Sequence, residues 1–158
     1  MAEVDFEQLV DAHYASLYRF AFSLAKNETE AADLTQQAFY LWASKGHQLR
    51  DSSKAKAWLF TTLFREFLSV RRHQGRFPPV ETGDADAEMP SVAPSVVDAL
   101  DGAAVLQAIE QLEEIFRAPL VLFYLEEFSY AQIAEILGIP RGTIMSRLSR
   151  AKAQLRQR

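Results

Sequence analysis

The last eighteen residues of the chain combine short hydroxyl side chains with long basic ones. From Arg141 to Arg158 there are six basic residues and no acidic residue. Arginine and lysine donate hydrogen bonds to phosphate oxygens and base edges, and serine and threonine bond to either. This composition predicts a surface that binds nucleic acid. The alternative is an amphipathic helical hairpin with a solvated basic face.

Helical periodicity divides this segment into two sides. At about 100° per residue, one narrow stripe is apolar and predicts a core contact: Ile144, Leu148, Ala151 and Leu155. Away from that stripe we expect three residues to read bases: Ser146, Ser149 and Arg150. The expected phosphate partners are Arg141, Thr143, Lys152 and Arg156, and Met145 flanks the same surface. Arg147 lies nearer the core edge, where an ion pair to a neighbouring helix is as reasonable as a DNA contact.

A second helix and a tight turn must position this basic helix. Ser129 and Gln132 have the spacing of a capping box that starts a helix. Gly138 is suited to a left-handed stop, and Pro140 presets the first turn of the next helix. Helix, turn and basic helix together predict a helix-turn-helix, whose second helix lies in the DNA major groove.

Charge is distributed unevenly along the chain. The formal net charge is −4, which by itself argues against nucleic-acid binding. Residues 45–76, however, hold eight basic and two acidic residues, whereas residues 77–135 hold one basic and twelve acidic residues. Because salt screens charges beyond roughly 8–10 Å, the local sign decides a contact. Two separate DNA-binding surfaces are therefore predicted in an acidic protein.

The basic segment at 45–76 contains a helix with a mixed aromatic and basic side. We expect this helix to start near Ser53, and one helical side carries Lys54, Trp58, Thr62, Arg65, Ser69 and Arg72. Aromatic rings stack on unpaired bases while arginines hold the phosphates. The pattern favours single-stranded DNA binding; the alternative is that Trp58 packs against another helix.

Two earlier helices precede it. The first is expected to bury one stripe: Phe6, Leu9, Val10, His13, Leu17, Phe20, Ala21 and Leu24. Asn27 and Glu30 predict a capping box for the second. One arc of the second helix presents Asp33, Gln36, Gln37 and Tyr40. An aromatic ring among hydrogen-bonding groups is typical of protein interfaces, although an ordinary solvated face would have a similar composition.

Composition divides the chain into domains. Residues 75–98 hold a run of prolines and acidic residues without helical period, which is typical of a flexible linker. We therefore expect an all-α protein of two small helical domains, residues 1–74 and 99–158. Pro119 in the second domain is expected to open a helix. With no cysteine, no glycine-rich phosphate loop, no signal peptide and no long apolar run, we expect no metal, cofactor or catalytic site, no membrane insertion and a cytoplasmic location.

Three segments together resemble the extracytoplasmic-function (ECF) sigma factors of bacterial RNA polymerase. They are residues 32–42, residues 57–61 closing on Arg71 and Arg72, and residues 129–151. The resemblance covers nearly the whole chain in order. It implies a dissociable subunit that binds the beta-prime clamp helices and beta flap of core polymerase, and that is controlled by an anti-sigma factor or a signal.

The same resemblance assigns a role to each surface. By position, Asp33 and Gln36 match the family's polymerase-binding motif, and we expect Gln37 and Tyr40 of the same arc to join them. The segment from Lys54 to Arg72 matches the helix that melts the minus-10 element, and the segment from Arg141 to Lys152 matches the helix that recognises the minus-35 element. Four residues differ from those common in the family at the same positions: Gln37, Arg65, Ser69 and Met145. We expect these differences to alter the preferred promoter sequence rather than to abolish the role.

Two other classes remain as alternatives. One is a stand-alone helix-turn-helix regulator that binds duplex DNA without polymerase. The other is an enzyme, against which the absence of a histidine–carboxylate arrangement with sensible spacing argues.

Overall fold

The computed structural model describes residues 6–45, 52–75 and 107–156, and all regular structure in these ranges is helical. The chain divides into two compact units, Met1–Phe77 and Pro78–Arg158. The all-α fold with two small helical domains is thus confirmed. Except for Gly75, the predicted linker lies outside the described residues, so its boundaries stay a prediction.

The first unit is built from three helices. Helix α1 spans Phe6–Ala25, α2 spans Glu28–Lys45 and α3 spans Ala55–His73, the last preceded by a 3-10 turn at Ser52–Lys54. Each helix packs against the other two. One of the two hydrogen bonds of the capping box predicted for α2 is present, since the Glu30 N–H donates to Asn27 Oδ1 over 2.9 Å. This cap satisfies one of the N–H groups that the first turn of a helix leaves without an internal partner.

Aromatic and leucine side chains fill the core of the first unit. The rings of Phe20 and Phe60 lie 5.3 Å apart between α1 and α3. Other fully buried side chains are Leu17, Leu24, Leu59, Leu63 and Phe67. The expectation that Phe6 is buried is wrong, because 43% of it is exposed at the start of α1. Its ring instead forms an edge-to-face pair with the Phe39 ring, with ring centres 6.3 Å apart.

In the second unit, residues 107–110 are helical, and four further helical segments follow them among the described residues. Helix α4 spans Glu114–Leu120 and continues as a π-helix at Val121–Leu125; α5 spans Tyr130–Leu137 and α6 spans Arg141–Arg156. Helix α6 packs against both α4 and α5. Buried Ile133 of α5 and Ile144 of α6 belong to the core of this unit.

The expectation that Pro119 opens a helix is wrong. Pro119 lies inside α4, which already begins after the extended residue Glu113. Proline provides no N–H for the helical ladder. Two residues after Pro119 the hydrogen bonding changes from the α-helical to the π-helical pattern. The Glu126 N–H, for example, donates to the carbonyl of Val121, five residues earlier, over 3.1 Å. A regular α-helix is therefore interrupted here rather than started.

Candidate protein and nucleic-acid interfaces

The outer side of α2 presents the first candidate surface, which we call the α2 polar face: Asp33, Gln36, Gln37 and Tyr40. Asp33 and Gln36 are exposed, Gln37 is half-buried, and 64% of Tyr40 is exposed. On the other side of the helix Leu34, Ala38 and Trp42 are buried, as the apolar pattern predicts. Burying these side chains fixes the rotation of α2, so the polar arc faces outward.

An aromatic group that the sequence reasoning missed supports α2 from the side. The Phe39 ring is buried and stacks on the ring of Tyr14 of α1, with ring centres 6.2 Å apart. Tyr14 in turn stacks on Tyr18 at 6.4 Å, one helical turn further along α1. The spacing of four residues between the tyrosines was the available signal, since such pairs lie on one side of a helix.

The outer side of α3, together with the residue just before it, presents the second surface, the α3 basic face: Lys54, Trp58, Thr62, Arg65, Ser69 and Arg72. Lys54 ends the 3-10 turn that precedes α3, and the spacing of the other five residues places them within one side of the continuous helix. Lys54, Arg65 and Arg72 are exposed, whereas Trp58, Thr62 and Ser69 are half-buried.

The alternative expectation for Trp58, packing against another helix, is confirmed, whereas its stacking on single-stranded DNA stays a prediction. Its indole packs edge to face against the buried Trp42, with ring centres 5.3 Å apart, and the residue remains partly exposed. Two basic residues of α3 that are not part of the α3 basic face lie over aromatic rings of the same helix. The Lys56 ammonium is 6.0 Å from the Phe60 ring centre, and the Arg71 guanidinium is 4.7 Å from that of Phe67.

The start of α5 and the turn between α5 and α6 have the predicted geometry. Ser129 Oγ accepts from the Gln132 N–H at 3.1 Å, and Gln132 Oε1 accepts from the Ser129 N–H at 2.9 Å. Gly138 has φ 69° and ψ 33°, and its N–H donates to Ala134 over 2.8 Å. The Pro140 carbonyl accepts the first bond of α6, from the Ile144 N–H. The predicted helix-turn-helix is therefore present.

Helix α6 buries the predicted apolar stripe and exposes part of its polar side, the α6 basic face. Ile144, Leu148 and Ala151 are buried, and Leu155 is half-buried. Among the residues expected at DNA, the exposed ones are Arg141, Met145 and Arg156, and the half-buried ones are Thr143, Ser149 and Arg150. Arg147, whose role was left open, is half-buried as well.

Two residues of α6 are not where the sequence predicts. Ser146 is only 3% exposed, so the expectation that its hydroxyl projects outward to a base edge is wrong. Periodicity locates a residue relative to one packed stripe, and it carries no information on whether the other sides of the helix are covered as well.

Lys152 is the second correction. It is only 6% exposed, and its ammonium lies 5.6 Å from the ring centre of Phe123 and 5.5 Å from that of Tyr124. Burial lowers the pKa of Lys152 from its ordinary value of 10.5, because removing water penalises the charged form. The expectation that Lys152 reaches outward to a phosphate is wrong, since its charge is directed at two aromatic rings.

The structure therefore contains a helix-turn-helix with a basic second helix in one unit and a three-helix arrangement with a basic side in the other. Comparison with known proteins identifies the family to which the chain belongs. Residues 9–77 match the family model for Sigma-70 region 2, and residues 102–155 match that for Sigma-70, region 4. The chain belongs to the ECF sigma factors of the sigma-70 family.

Individual relatives agree with this membership. The ECF RNA polymerase sigma factor SigL of Mycobacterium tuberculosis is 34% identical over 94% of this chain and 85% of its own length. SigE of Mycolicibacterium smegmatis is 32% identical over 95% of this chain, which spans 60% of the length of SigE.

A solved structure has the same fold. It contains the sigma factor RpoE in complex with the anti-sigma factor NepR from Bartonella quintana. The likeness has a TM-score of 0.72 with 31% sequence identity, and it covers 97% of this chain and 95% of the matched one. Among the described helices of this chain, none is both long and apolar enough to cross a bilayer.

Proposed function

We propose that the chain is a dissociable specificity subunit that binds core RNA polymerase and directs it to promoters. The observation that carries this proposal is the presence of both sigma-70 regions, each with its own outward polar or basic helix side. A stand-alone regulator would need only the helix-turn-helix and would leave the α2 polar face and the α3 basic face without a role. The action proposed is recognition rather than catalysis, in the cytoplasm.

The first unit joins polymerase docking to strand opening. The α2 polar face offers one carboxylate, two amides and an exposed phenol, which suits a hydrogen-bonded protein interface. We assign it to the beta-prime clamp helices. On the α3 basic face, Arg65 and Arg72 supply exposed positive charge on the same helical side as the indole of Trp58. Charge and stacking together favour an unpaired strand over a duplex, which suits the minus-10 element.

The second unit reads duplex DNA at the minus-35 element and contacts the beta flap. Ser149 and Arg150 are the proposed base readers, with Thr143 and Met145 beside them at the groove. The exposed Arg141 and Arg156 stand near the two ends of α6, where they can bind phosphates on either side of the groove. Ser146 and Lys152 are omitted from this set because they are buried.

We further propose that an anti-sigma factor holds the chain inactive until a signal arrives. Support comes from the likeness to RpoE, which was solved with the anti-sigma factor NepR and matches this chain over nearly its full length. A protein that covers the α2 polar face or the α6 basic face would block polymerase or promoter binding directly.

Heparin-competed transcription tests the central proposal. Core polymerase is incubated with fragmented bacterial DNA, with or without the chain, and heparin is added before nucleotides. We expect heparin-resistant transcripts with defined start sites only when the chain is present. Duplex binding by the chain alone, with no chain-dependent transcript, would establish the stand-alone regulator instead.

A further inference from the structure

Lys152 occupies a position that the recognition of DNA does not explain. It is the only basic residue of α6 that is buried among the described residues, and α6 otherwise carries exposed or half-buried arginines. A lysine can keep its charge when its stem is covered only if the ammonium finds a favourable partner. The partners seen here are aromatic rings rather than an anion.

The rings belong to the π-helix that follows α4. Phe123 and Tyr124 meet edge to face with centres 4.9 Å apart, and Phe123 stacks on Tyr130 of α5 at 5.1 Å. The Lys152 ammonium is within 6 Å of the first two ring centres. That distance is the range in which a cation is attracted to the face of a ring. We call these four residues, Phe123, Tyr124, Tyr130 and Lys152, the aromatic clasp.

The clasp connects three elements of the second unit. Phe123 and Tyr124 come from the π-helix, Tyr130 is the first residue of α5, and Lys152 belongs to the second half of α6. The packing stripe of Ile144 and Leu148 holds α6 to its neighbours, but an apolar stripe is non-directional and permits small rotations of a helix about its axis. A cation held by two rings adds a directional contact away from that stripe.

We propose that Lys152 is a positioning residue, which fixes the rotation of α6 through Phe123 and Tyr124 so that Ser149 and Arg150 face the bases. The proposal rests on the proposed reading of duplex DNA by α6. Ser149 and Arg150 lie less than one turn before Lys152, so a rotation at Lys152 moves both readers. Bidentate contacts to base edges tolerate little displacement, whereas phosphate contacts by long side chains tolerate more.

Each of three roles for Lys152 predicts a different result in binding and unfolding experiments. A positioning residue sets sequence discrimination. A phosphate partner sets overall affinity and its salt dependence, because each neutralised phosphate contributes about 0.9 to the slope of log affinity against log salt. A residue that only stabilises the fold changes the unfolding temperature and leaves both binding properties intact well below that temperature.

The test uses the full chain with core polymerase and a promoter duplex selected by the wild-type chain from a randomised library. Binding to this duplex and to a scrambled duplex is measured over a range of salt concentrations for wild type, Lys152→Met, Lys152→Arg and Phe123→Leu. Methionine keeps the length of the side chain without its charge, and arginine keeps a cation for the rings. Arg141→Met is the matched control, since Arg141 is an exposed basic residue of the same helix.

For Lys152→Met we expect the ratio of selected to scrambled affinity to fall about three- to tenfold, the range that a partly desolvated cation–ring contact supports, with the salt slope unchanged. Lys152→Arg should restore most of the ratio. Phe123→Leu should lower it similarly, and the double variant Phe123→Leu with Lys152→Met should lose little more than either single one. Arg141→Met should reduce both affinities alike and make the slope shallower by about one.

A shallower slope for Lys152→Met with an unchanged ratio would overturn the proposal in favour of a phosphate contact. A lower unfolding temperature with both binding properties intact would overturn it in favour of a purely structural role. If Lys152→Met does not fold, Lys152→Arg and Phe123→Leu still decide, because unchanged discrimination in Phe123→Leu contradicts the clasp. Failure of the wild-type chain to select any duplex would instead contradict the proposed function itself.

Discussion

The indole rings of Trp42 and Trp58 meet edge to face, with centres 5.3 Å apart and planes at 79°. Trp42 belongs to α2 and Trp58 to α3, so the contact joins the helix proposed to dock on polymerase to the helix proposed to open DNA. Edge-to-face pairs contribute about 0.5–1.5 kcal/mol beyond the area they bury. Trp58 therefore has a structural function in addition to any contact with a base.

Because of this contact, the test of strand opening needs a variant of Trp58 that keeps an aromatic ring. Trp58→Ala removes both the packing on Trp42 and the proposed stacking surface, whereas Trp58→Phe keeps a ring. Arg65→Ala removes an exposed charge with little effect on the fold. We expect thymines in the minus-10 region to lose permanganate reactivity in Trp58→Ala and Arg65→Ala, because a stacked base is worth about 1–3 kcal/mol and an arginine holds its phosphate. Trp58→Phe should retain part of the reactivity.

Lys45→Ala is the control for strand opening, since Lys45 is an exposed basic residue outside the α3 basic face. It should show wild-type reactivity. Normal permanganate reactivity in both Trp58→Ala and Arg65→Ala, with the variants folded and bound to polymerase, would refute the role of α3 in melting.

The docking surface is tested at Asp33 and Gln36, which are exposed on α2. We expect Asp33→Ala and Gln36→Ala each to weaken binding to core polymerase by about 1–2 kcal/mol, a typical loss for a central polar anchor, with the fold retained. Binding is measured by titrating labelled chain with core polymerase. Asp11→Ala, which removes an exposed carboxylate from α1, should bind as wild type. Equal affinity for all three variants would exclude the α2 polar face.

Much of the fold could be predicted because its signals are local. The capping box at Ser129, the left-handed Gly138 and the apolar spacing of α6 each depend on residues within a few positions of one another. The outward arc of Asp33, Gln36 and Tyr40 followed from the same spacing, since burial of one stripe fixes the opposite one.

What could not be predicted depends on contacts between distant residues. The rings of Phe123 and Tyr124 lie almost thirty positions before Lys152 in the sequence, and no local pattern connects a basic side chain to them. The burial of Ser146 on the polar side of α6 was not predicted either, because the periodicity of one helix does not show which of its other sides are covered. Likewise, the rule that proline opens helices failed at Pro119 because Glu113 had already started the helix and a π-helix follows.

Gly138 and Gly142 form a matched pair for stability. At both positions an added Cβ would meet nothing within 4 Å, so only backbone conformation distinguishes them. Gly138 has φ 69°, which disfavours any other residue, and we expect Gly138→Ala to destabilise the second unit by about 1 kcal/mol. Gly142 lies in the first turn of α6, where Gly142→Ala should stabilise by about 0.4–1 kcal/mol. Thermal unfolding measures both; equal shifts of the same sign would contradict the left-handed turn.

Lys152 also predicts a pH dependence of stability. Burial lowers its pKa below 10.5, so between the lowered value and 10.5 the unfolded chain binds more protons than the folded chain. Stability contributed by this group therefore rises with pH across that window and is lost as the pH falls through the folded pKa. Wild type should gain stability relative to Lys152→Met as the pH is raised toward 10.5 in parallel urea titrations. A difference that stays constant or changes in the opposite direction would show that the pKa of Lys152 is not lowered in the folded chain.

Arg150 provides the sharpest test of base recognition because it separates reading from positioning within one helix. It is half-buried on α6, whereas Arg156, proposed as a phosphate partner, is exposed near the helix end. A base-reading arginine is worth about 1–3 kcal/mol of discrimination at one base pair. We therefore expect Arg150→Ala, selected as holoenzyme on duplexes randomised at the minus-35 element, to lose preference at one or two positions. Arg156→Ala should lower affinity for every sequence alike and reduce the salt slope by about one. If Arg150→Ala weakens all sequences equally, Arg150 binds phosphate and the bases are read by other residues of the α6 basic face.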